Sequence, residues 1–195
     1  DDIYEKLLYQ GQFVNLGNVA PDLVARLVVI NGMSKAFSMT GWRLGYAAGP
    51  KWLIAGMQMI QDQSTSNAAS FVQKAGLAAL KGPQDIFVPM VEEYRARRDM
   101  VVNALNSMEG VHCRTPEGAF YVLPSVRGLF GRSYKGTPLT GSVQLSEILL
   151  DDFRVAAVPG APFGAEGYIR MSFATSREQL RKGLDRFKEL VSSVR

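Results

Sequence analysis

Apolar residues recur along this chain in two rhythms, a continuous one and a helical one. Arg26-Leu27-Val28-Val29-Ile30-Asn31 is a short, nearly unbroken apolar run closed by Gly32, the pattern of a strand buried on both faces. Residues 42–48 predict a second strand, ended by Gly49-Pro50, and Pro50 suits the first turn of a helix running to about residue 62. A further helix is predicted over 68–80, with Gly82-Pro83 as its stop. Val88, Val91, Met100, Val101 and Leu105, with Glu92, Glu93, Arg95, Arg97 and Arg98 marking the solvent face, predict one long helix over about 84–108. Beyond it, 119–123, 153–158 and 168–173 read as strands and alternate with helical patterns at 142–150 and 177–194. Ser176 stands three residues before Gln179, the spacing of a capping box.

Strands alternating with helices predict an α/β fold in two parts. Residues 1–91 form the first part, and a smaller α+β part occupies 92–195, with the long helix bridging the two. Neither internal repeats nor low-complexity stretches occur. The chain opens at Asp1 without a methionine, and Asp1 to Glu5 reads like the end of a strand, so a piece of a longer protein is expected.

Composition narrows the function classes. Of 195 residues, 47% are apolar and 21% charged, which excludes wholesale disorder. No run approaches the ~18 apolar residues of a membrane span, and no signal-peptide pattern opens the chain. The net charge of +4 is spread among acids, which argues for a soluble surface rather than a nucleic-acid footprint. One cysteine, Cys113, allows no intrachain disulfide, so the cytoplasm is the expected compartment. One histidine, His112, leaves no His-rich metal site, and no metal is expected. Both are read as structural residues on a strand after the long helix. Met33, Met39, Met57 and Met59 are read as core filler.

The chemistry concentrates in Asn31-Gly32-Met33-Ser34-Lys35-Ala36-Phe37-Ser38-Met39-Thr40-Gly41-Trp42-Arg43-Leu44-Gly45-Tyr46. Lys35 follows a buried strand in a Gly/Ser-bounded loop, eight residues before Arg43, which is expected to open the next strand. A lysine so placed is a candidate amine nucleophile. A lone loop lysine is usually just solvated, but this segment as a whole resembles the Schiff-base lysine signature of the class I/II, fold-type I aminotransferases. The resemblance rests on the Ser-Lys pair, Thr-Gly-Trp-Arg and the Gly-Tyr that follows. It implies that Lys35 binds pyridoxal 5′-phosphate covalently and moves the substrate Cα proton. It also implies that Arg43 clamps the cofactor phosphate, where a planar fork of donors suits a dianion, with Ser34 adding a hydroxyl.

Two further segments resemble the same family. Asp1-x-x-Tyr4 is similar to its Asp-x-x-Tyr, which implies that Asp1 pairs with the pyridine nitrogen and Tyr4 donates to the cofactor's ring oxygen. The stretch from Val155 through Pro159-Gly160 and Phe163-Gly164, then Gly167-Tyr168-Ile169-Arg170-Met171-Ser172-Phe173-Ala174-Thr175-Ser176, resembles its VPG…FG…GYxRxSYATS block. Arg170 thereby maps onto the arginine that binds the substrate α-carboxylate. An arginine within an apolar strand also needs a charged partner on physical grounds. Glu117 to Tyr121 resembles a strand beside the active site, where Phe120 and Tyr121 are given a packing role.

Gln63 to Asn67 resembles a segment that approaches the neighbouring subunit in dimeric relatives. Some aspartate-specific relatives carry an arginine just before it, and here Asp62 and Gln63 stand there, which leaves the preferred amino acid open.

The resemblance covers nearly the whole chain and implies the C-terminal part of the pyridoxal phosphate-dependent transferase fold: the end of a large, mainly parallel-sheet domain followed by a small α+β domain. It implies transamination between an amino acid, aspartate or one like it, and a 2-oxo acid by a homodimer. The family's phosphate loop and ring-stacking residue have no counterpart here, so the segment alone is expected to be inactive. A β-lyase or an ACC-synthase-like enzyme would share the same residues. So would the aminotransferase-like effector domain of a transcription regulator.

Overall fold

Short connections decide how the strands pair. The computed structural model describes residues 1–195, which fall into two units, Asp1–Val91 and Glu92–Arg195, with the boundary inside a helix. In the first unit a short helix α1 (Leu16–Val19), capped by the Asn15 side chain on the Gly17 N–H at 2.8 Å, leads through a 3-10 turn to strand β1 (Val29–Gly32). Strand β2 (Gly45–Ala48) returns beside it, antiparallel, with Val29 opposite Ala48 and Gly32 opposite Gly45. Residues 33–44 hold no crossover helix, so the strand has to turn back on its neighbour; the parallel pairing implied by the resemblance is absent between these two strands.

Several expectations for this unit change. β1 has β2 as its strand partner, and its other side carries only the Asp2 N–H donated to the Ile30 carbonyl at 2.8 Å. Ile30 is therefore 48% exposed, and the strand is not buried on both faces. Residues 3–6 form turns rather than the end of a strand. The second strand starts at Gly45, because Thr40–Trp42 forms a 3-10 turn and Arg43 follows it at φ 53°. Pro50 caps helix α2 (Lys51–Ser64) with extended backbone instead of entering its first turn. Helix α3 (Ser70–Lys81) buries Val72 and Gly76, whereas α2 buries nothing. Trp52, Ile60, Phe71 and Met59 are all exposed, so only Met33 of the four methionines is core; Met39 is half-buried, and Met57 is exposed.

The second unit begins within helix α4 (Phe87–Asn106). Strand β3 (Tyr121–Val122) precedes the hairpin β4 (Ser133–Tyr134) and β5 (Thr137–Pro138), helix α5 (Ser142–Asp151), strands β6 (Val158–Pro159) and β7 (Ile169–Ser172), and helix α6 (Arg177–Ser193). β7 is the middle of an antiparallel three-stranded sheet, with Tyr121 opposite Ser172 and Val158 opposite Arg170. Ser176 caps α6 by accepting the Gln179 N–H at 3.3 Å, and Leu180, Leu184, Phe187, Leu190 and Val191 form its buried stripe. Val101, Val102 and Leu105 do the same for α4.

Here too the pattern misleads locally. Arg98 does not face solvent: it is buried, held by Asp99 at 2.8 Å and by the Pro116 carbonyl at 3.1 Å. Val88 is 65% exposed. The expected strand over 153–158 shrinks to its last residue, because Arg154 (φ 56°) closes α5: its N–H reaches Leu150 and that of Val155 reaches Leu149. His112 makes a single bridge to Ser125, and burial pushes the neighbouring Cys113 thiol up to about 11. α5 starts after Gly141, which has no capping side chain. Glu166 substitutes for one, accepting the Ser142 N–H at 2.7 Å and that of Gly167 at 2.8 Å, and these donors hold its carboxyl below the ordinary range.

The start of α6 is tied to α4 by Glu93, which accepts from Arg177 at 2.6 Å and from Arg97 at 2.7 Å. Those two charged donors lower its carboxyl from 4.5 to about 2. A depressed carboxylate contributes stability that is present above its unfolded value and is lost as pH falls through its folded one. Urea midpoints of the wild type should therefore exceed those of Glu93→Gln at pH 6. The two should converge between pH 4.5 and 2; a gap that persists at pH 2 would refute the assignment.

Candidate functional site

In the first unit, the loop over residues 33–44 carries three of the sequence-derived site residues. It is closed at its base by the Met33 N–H on the Leu44 carbonyl at 3.1 Å and braced by the Met39 N–H on the Met33 carbonyl at 3.3 Å. The Thr40 hydroxyl donates to the Ser34 carbonyl at 3.0 Å, and the Ser38 N–H closes a turn on the Lys35 carbonyl at 3.3 Å. Lys35 thus stands half-buried on a turn directly after β1, its backbone fixed from both sides. Ala36 and Met33 beside it are buried and anchor the turn.

Arg43 does not open a strand. It sits at φ 53°, a left-handed conformation that costs a non-glycine residue of order 1 kcal/mol or more, and its exposed guanidinium donates to the Thr40 carbonyl at 3.0 Å. A second left-handed residue, Ser38 (φ 54°), lies on the same loop. Two left-handed non-glycine residues thus fall in one short loop that ends on a cation. Ser34 is half-buried, with its carbonyl engaged by Thr40.

The two aspartates at the chain start separate clearly. The Asp2 carboxylate accepts from the Asn15 amide at 2.5 Å, and its N–H is on Ile30. Asp1 is exposed, with Oδ1 accepting the Ile3 N–H at 3.0 Å. Tyr4 is half-buried in the same turn. Asp2 therefore acts as the structural anchor. A nearby cavity of about 560 Å³ in this unit is lined by Leu44, Tyr46, Ile54, Met57, Leu77 and Leu80 among others, and neither Lys35 nor Arg43 lines it. Gln63 to Asn67 is exposed and runs from the last turn of α2 into the loop after it, with Ser66 at φ 58°.

In the second unit, β7 alternates: Ile169 is buried, Arg170 exposed, Met171 half-buried and Ser172 exposed. Arg170 is thus on the open face and not sunk in apolar surroundings, which corrects the sequence-based reason for giving it a charged partner. Its guanidinium carbon lies 4.7 Å from the centroid of the Tyr121 ring and 5.7 Å from that of Phe163. It forms none of the ion pairs of the structure. Tyr121 continues into a row of rings, with Phe120 at 4.8 Å and Tyr94 stacked on Phe120 at 5.9 Å. Sequence reading gave Tyr121 only a packing role and passed over Phe163. The signal was the alternation of β3 and β7: Tyr121 stands opposite Ser172, two residues from Arg170 and on the same face of the sheet.

The aminotransferase class I and II family model matches residues 1–187. An aspartate/prephenate aminotransferase of Nitrosomonas europaea is 48% identical over 195 residues, covering 98% of this chain and 49% of that protein. An aspartate aminotransferase of Rhizobium meliloti is 44% identical over 188 residues, covering 95% of this chain and 46% of its own length. The crystal structure of an aspartate aminotransferase from Rhizobium meliloti superposes with a TM-score of 0.96 at 41% identity, over 100% of this chain and 49% of that one. The chain spans about half the length of the curated relatives it matches, and its α/β fold corresponds to that half of the aspartate aminotransferase fold. No helix is long and apolar enough to cross a membrane. With a family model matched from Asp1 to Phe187, this chain belongs to the class I and II aminotransferase family.

Proposed function

We propose that this chain is the part of a pyridoxal phosphate-dependent aminotransferase that carries the reactive lysine and the substrate-carboxylate arginine, exchanging the amino group of aspartate or a similar amino acid with a 2-oxo acid. The observation that carries this reading is the braced, doubly strained loop that presents Lys35 and Arg43. Asp1–Val91 is assigned to the end of the large cofactor-binding domain and Glu92–Arg195 to the small domain.

The residues suit the cofactor chemically. An amine (Lys35) matches an aldehyde, and a guanidinium (Arg43) with a hydroxyl (Ser34) matches a phosphate dianion. A carboxylate (Asp1) and a phenol (Tyr4) match a pyridinium nitrogen and the oxygen beside it. When bound, the cofactor supplies an electron sink for the electron pair left at the substrate Cα. With the cofactor bound, Lys35 would be the amine that takes the proton from the substrate Cα and gives it back, base and then acid. Asp1 would hold the pyridine nitrogen through its carboxylate, and Tyr4 would donate to the ring oxygen. Arg170 binds the α-carboxylate edge-on with two parallel N–H bonds, which hold that end of the substrate in one orientation.

The exposed Trp52, Met59, Ile60 and Phe71 support a chain covered in its assembled form, a homodimer in this reading, and the single buried thiol suits the cytoplasm. The test is full-length protein with aspartate and 2-oxoglutarate, wild type against Arg170→Ala. KM should rise steeply for every α-amino acid through loss of a charge-assisted pair worth ~2–5 kcal/mol. An unaltered KM would remove Arg170 from the site, and absence of transamination with all amino acids would overturn the reading itself.

A further inference from the structure

Arg170 is an exposed arginine with two aromatic neighbours and no carboxylate. That is an unusual state for a charge on a strand. Long arginine side chains are rich in rotamers, and an unbraced one forfeits part of its binding energy on being fixed. Here the fixing is already done. Tyr121 and Phe163 both lie within cation–π range of the guanidinium carbon, at 4.7 and 5.7 Å. Aromatic rings attract a guanidinium through its faces, whereas a carboxylate binds along its N–H edge, so the two do not compete.

The ring of Tyr121 is itself held, and so is the main chain that carries Phe163. Tyr121 is backed by Phe120, which Tyr94 backs in turn. Phe163 ends the 3-10 turn Ala161–Phe163, whose entry residue Gly160 accepts the Phe163 N–H at 2.9 Å and the Ala165 N–H at 3.0 Å and donates to Tyr168 at 2.8 Å. Phe163 is nonetheless 69% exposed. A rigid turn that holds a large apolar ring out to solvent gains little from burial, and the ring's recorded contact is Arg170.

We propose that Phe163 and Tyr121 are positioning residues for Arg170, a brace that occupies its faces and leaves the N–H edge for the substrate carboxylate. This rests on the reading of Arg170 given above. The test uses the full-length holoenzyme and the variants Phe163→Leu, Phe163→Tyr, Tyr121→Leu, Tyr121→Phe and Arg170→Ala. Phe163→Leu should raise KM for the amino acid and for the 2-oxo acid alike, roughly three- to tenfold, with kcat changed by less than about twofold. Phe163→Tyr and Tyr121→Phe, which keep a ring, should restore the wild-type KM. Should Tyr121→Leu fail to fold, Phe163→Leu decides alone, because its side chain is exposed. The brace is overturned if Arg170→Ala raises KM while the leucine variants leave it unchanged. If Arg170→Ala itself has no effect, the carboxylate reading has failed and the brace with it.

Discussion

Replacing Lys35 with alanine should lower turnover of the holoenzyme by roughly 10⁴-fold or more, because in the proposed function one amine provides both the covalent tether and the proton transfer. The loss should not come from unfolding. The loop is closed by Met33 on Leu44 and Met39 on Met33, bonds between backbone atoms that the substitution leaves in place, and by Thr40 on the Ser34 carbonyl. Urea midpoints of Lys35→Ala and wild type, measured beside turnover, separate a chemical loss from a structural one. An independent readout is covalent: borohydride reduction of the wild-type holoenzyme, followed by proteolysis and mass spectrometry, should find the cofactor mass on the peptide that contains Lys35. Cofactor fixed on another lysine, or turnover that survives the substitution, would take Lys35 out of the mechanism.

Gly160→Ala should be the most damaging small substitution in the second unit. Gly160 has ordinary backbone angles (φ −77°, ψ −25°), so conformational freedom is not the reason a glycine stands there. The reason is space. A methyl group would fall onto the Ala165 carbonyl oxygen and lie 2.6 Å from that of Tyr168. Both obstacles are main chain, pinned by the bonds Gly160 makes with Ala165 and Tyr168, so neither can swing aside as a flexible side chain would. The turn must open, at a cost of about 3 kcal/mol. Thermal unfolding should show it, and because the turn carries Phe163, KM should rise as well. An alanine variant with unchanged stability would contradict the packing.

The opposite case is Gly76, where an added methyl would clash with the Leu44 Cδ2 end of a flexible side chain and meet Leu44 Cγ and Met33 Cγ only at ordinary contact distance. Close approach to a backbone and close approach to a side-chain tip look the same in a sequence, and only coordinates separate them.

Much of this protein was legible before any coordinates. The helices α2, α3 and α6 lie within a few residues of where 3.6-residue periodicity and the Gly82-Pro83 stop put them, and Ser176 caps α6 as its spacing to Gln179 predicts. Those features depend on neighbours within one or two turns, which the chain itself carries. The lysine loop was legible for a different reason. A run of residues chosen for chemistry rather than for burial departs from every regular pattern and can be matched only as a whole.

What failed were inferences that depended on partners distant in sequence. An unbroken apolar run says that a strand can be covered on both faces, but Ile30 shows that the number of neighbours decides whether it is. Arg98 lies in a charged run and is buried, because Asp99 and the Pro116 carbonyl satisfy it. Glu166 caps α5 from beyond the helix's far end, and no local rule finds a cap 24 residues away. The left-handed backbone at Arg43 and Arg154 falls on residues that do not favour it, so composition gives no warning.

Arg170 shows where the two kinds of information divide. Its place in an alternating strand and its family motif are written in the sequence. Its state, a guanidinium exposed between the rings of Tyr121 and Phe163 with no carboxylate on it, follows from three segments meeting across an antiparallel sheet. Local order is a property of adjacent residues, and so the sequence by itself determined the elements, the motif and the family. The surroundings of each charge are set by chain segments brought together only on folding, and these the tertiary structure alone decided.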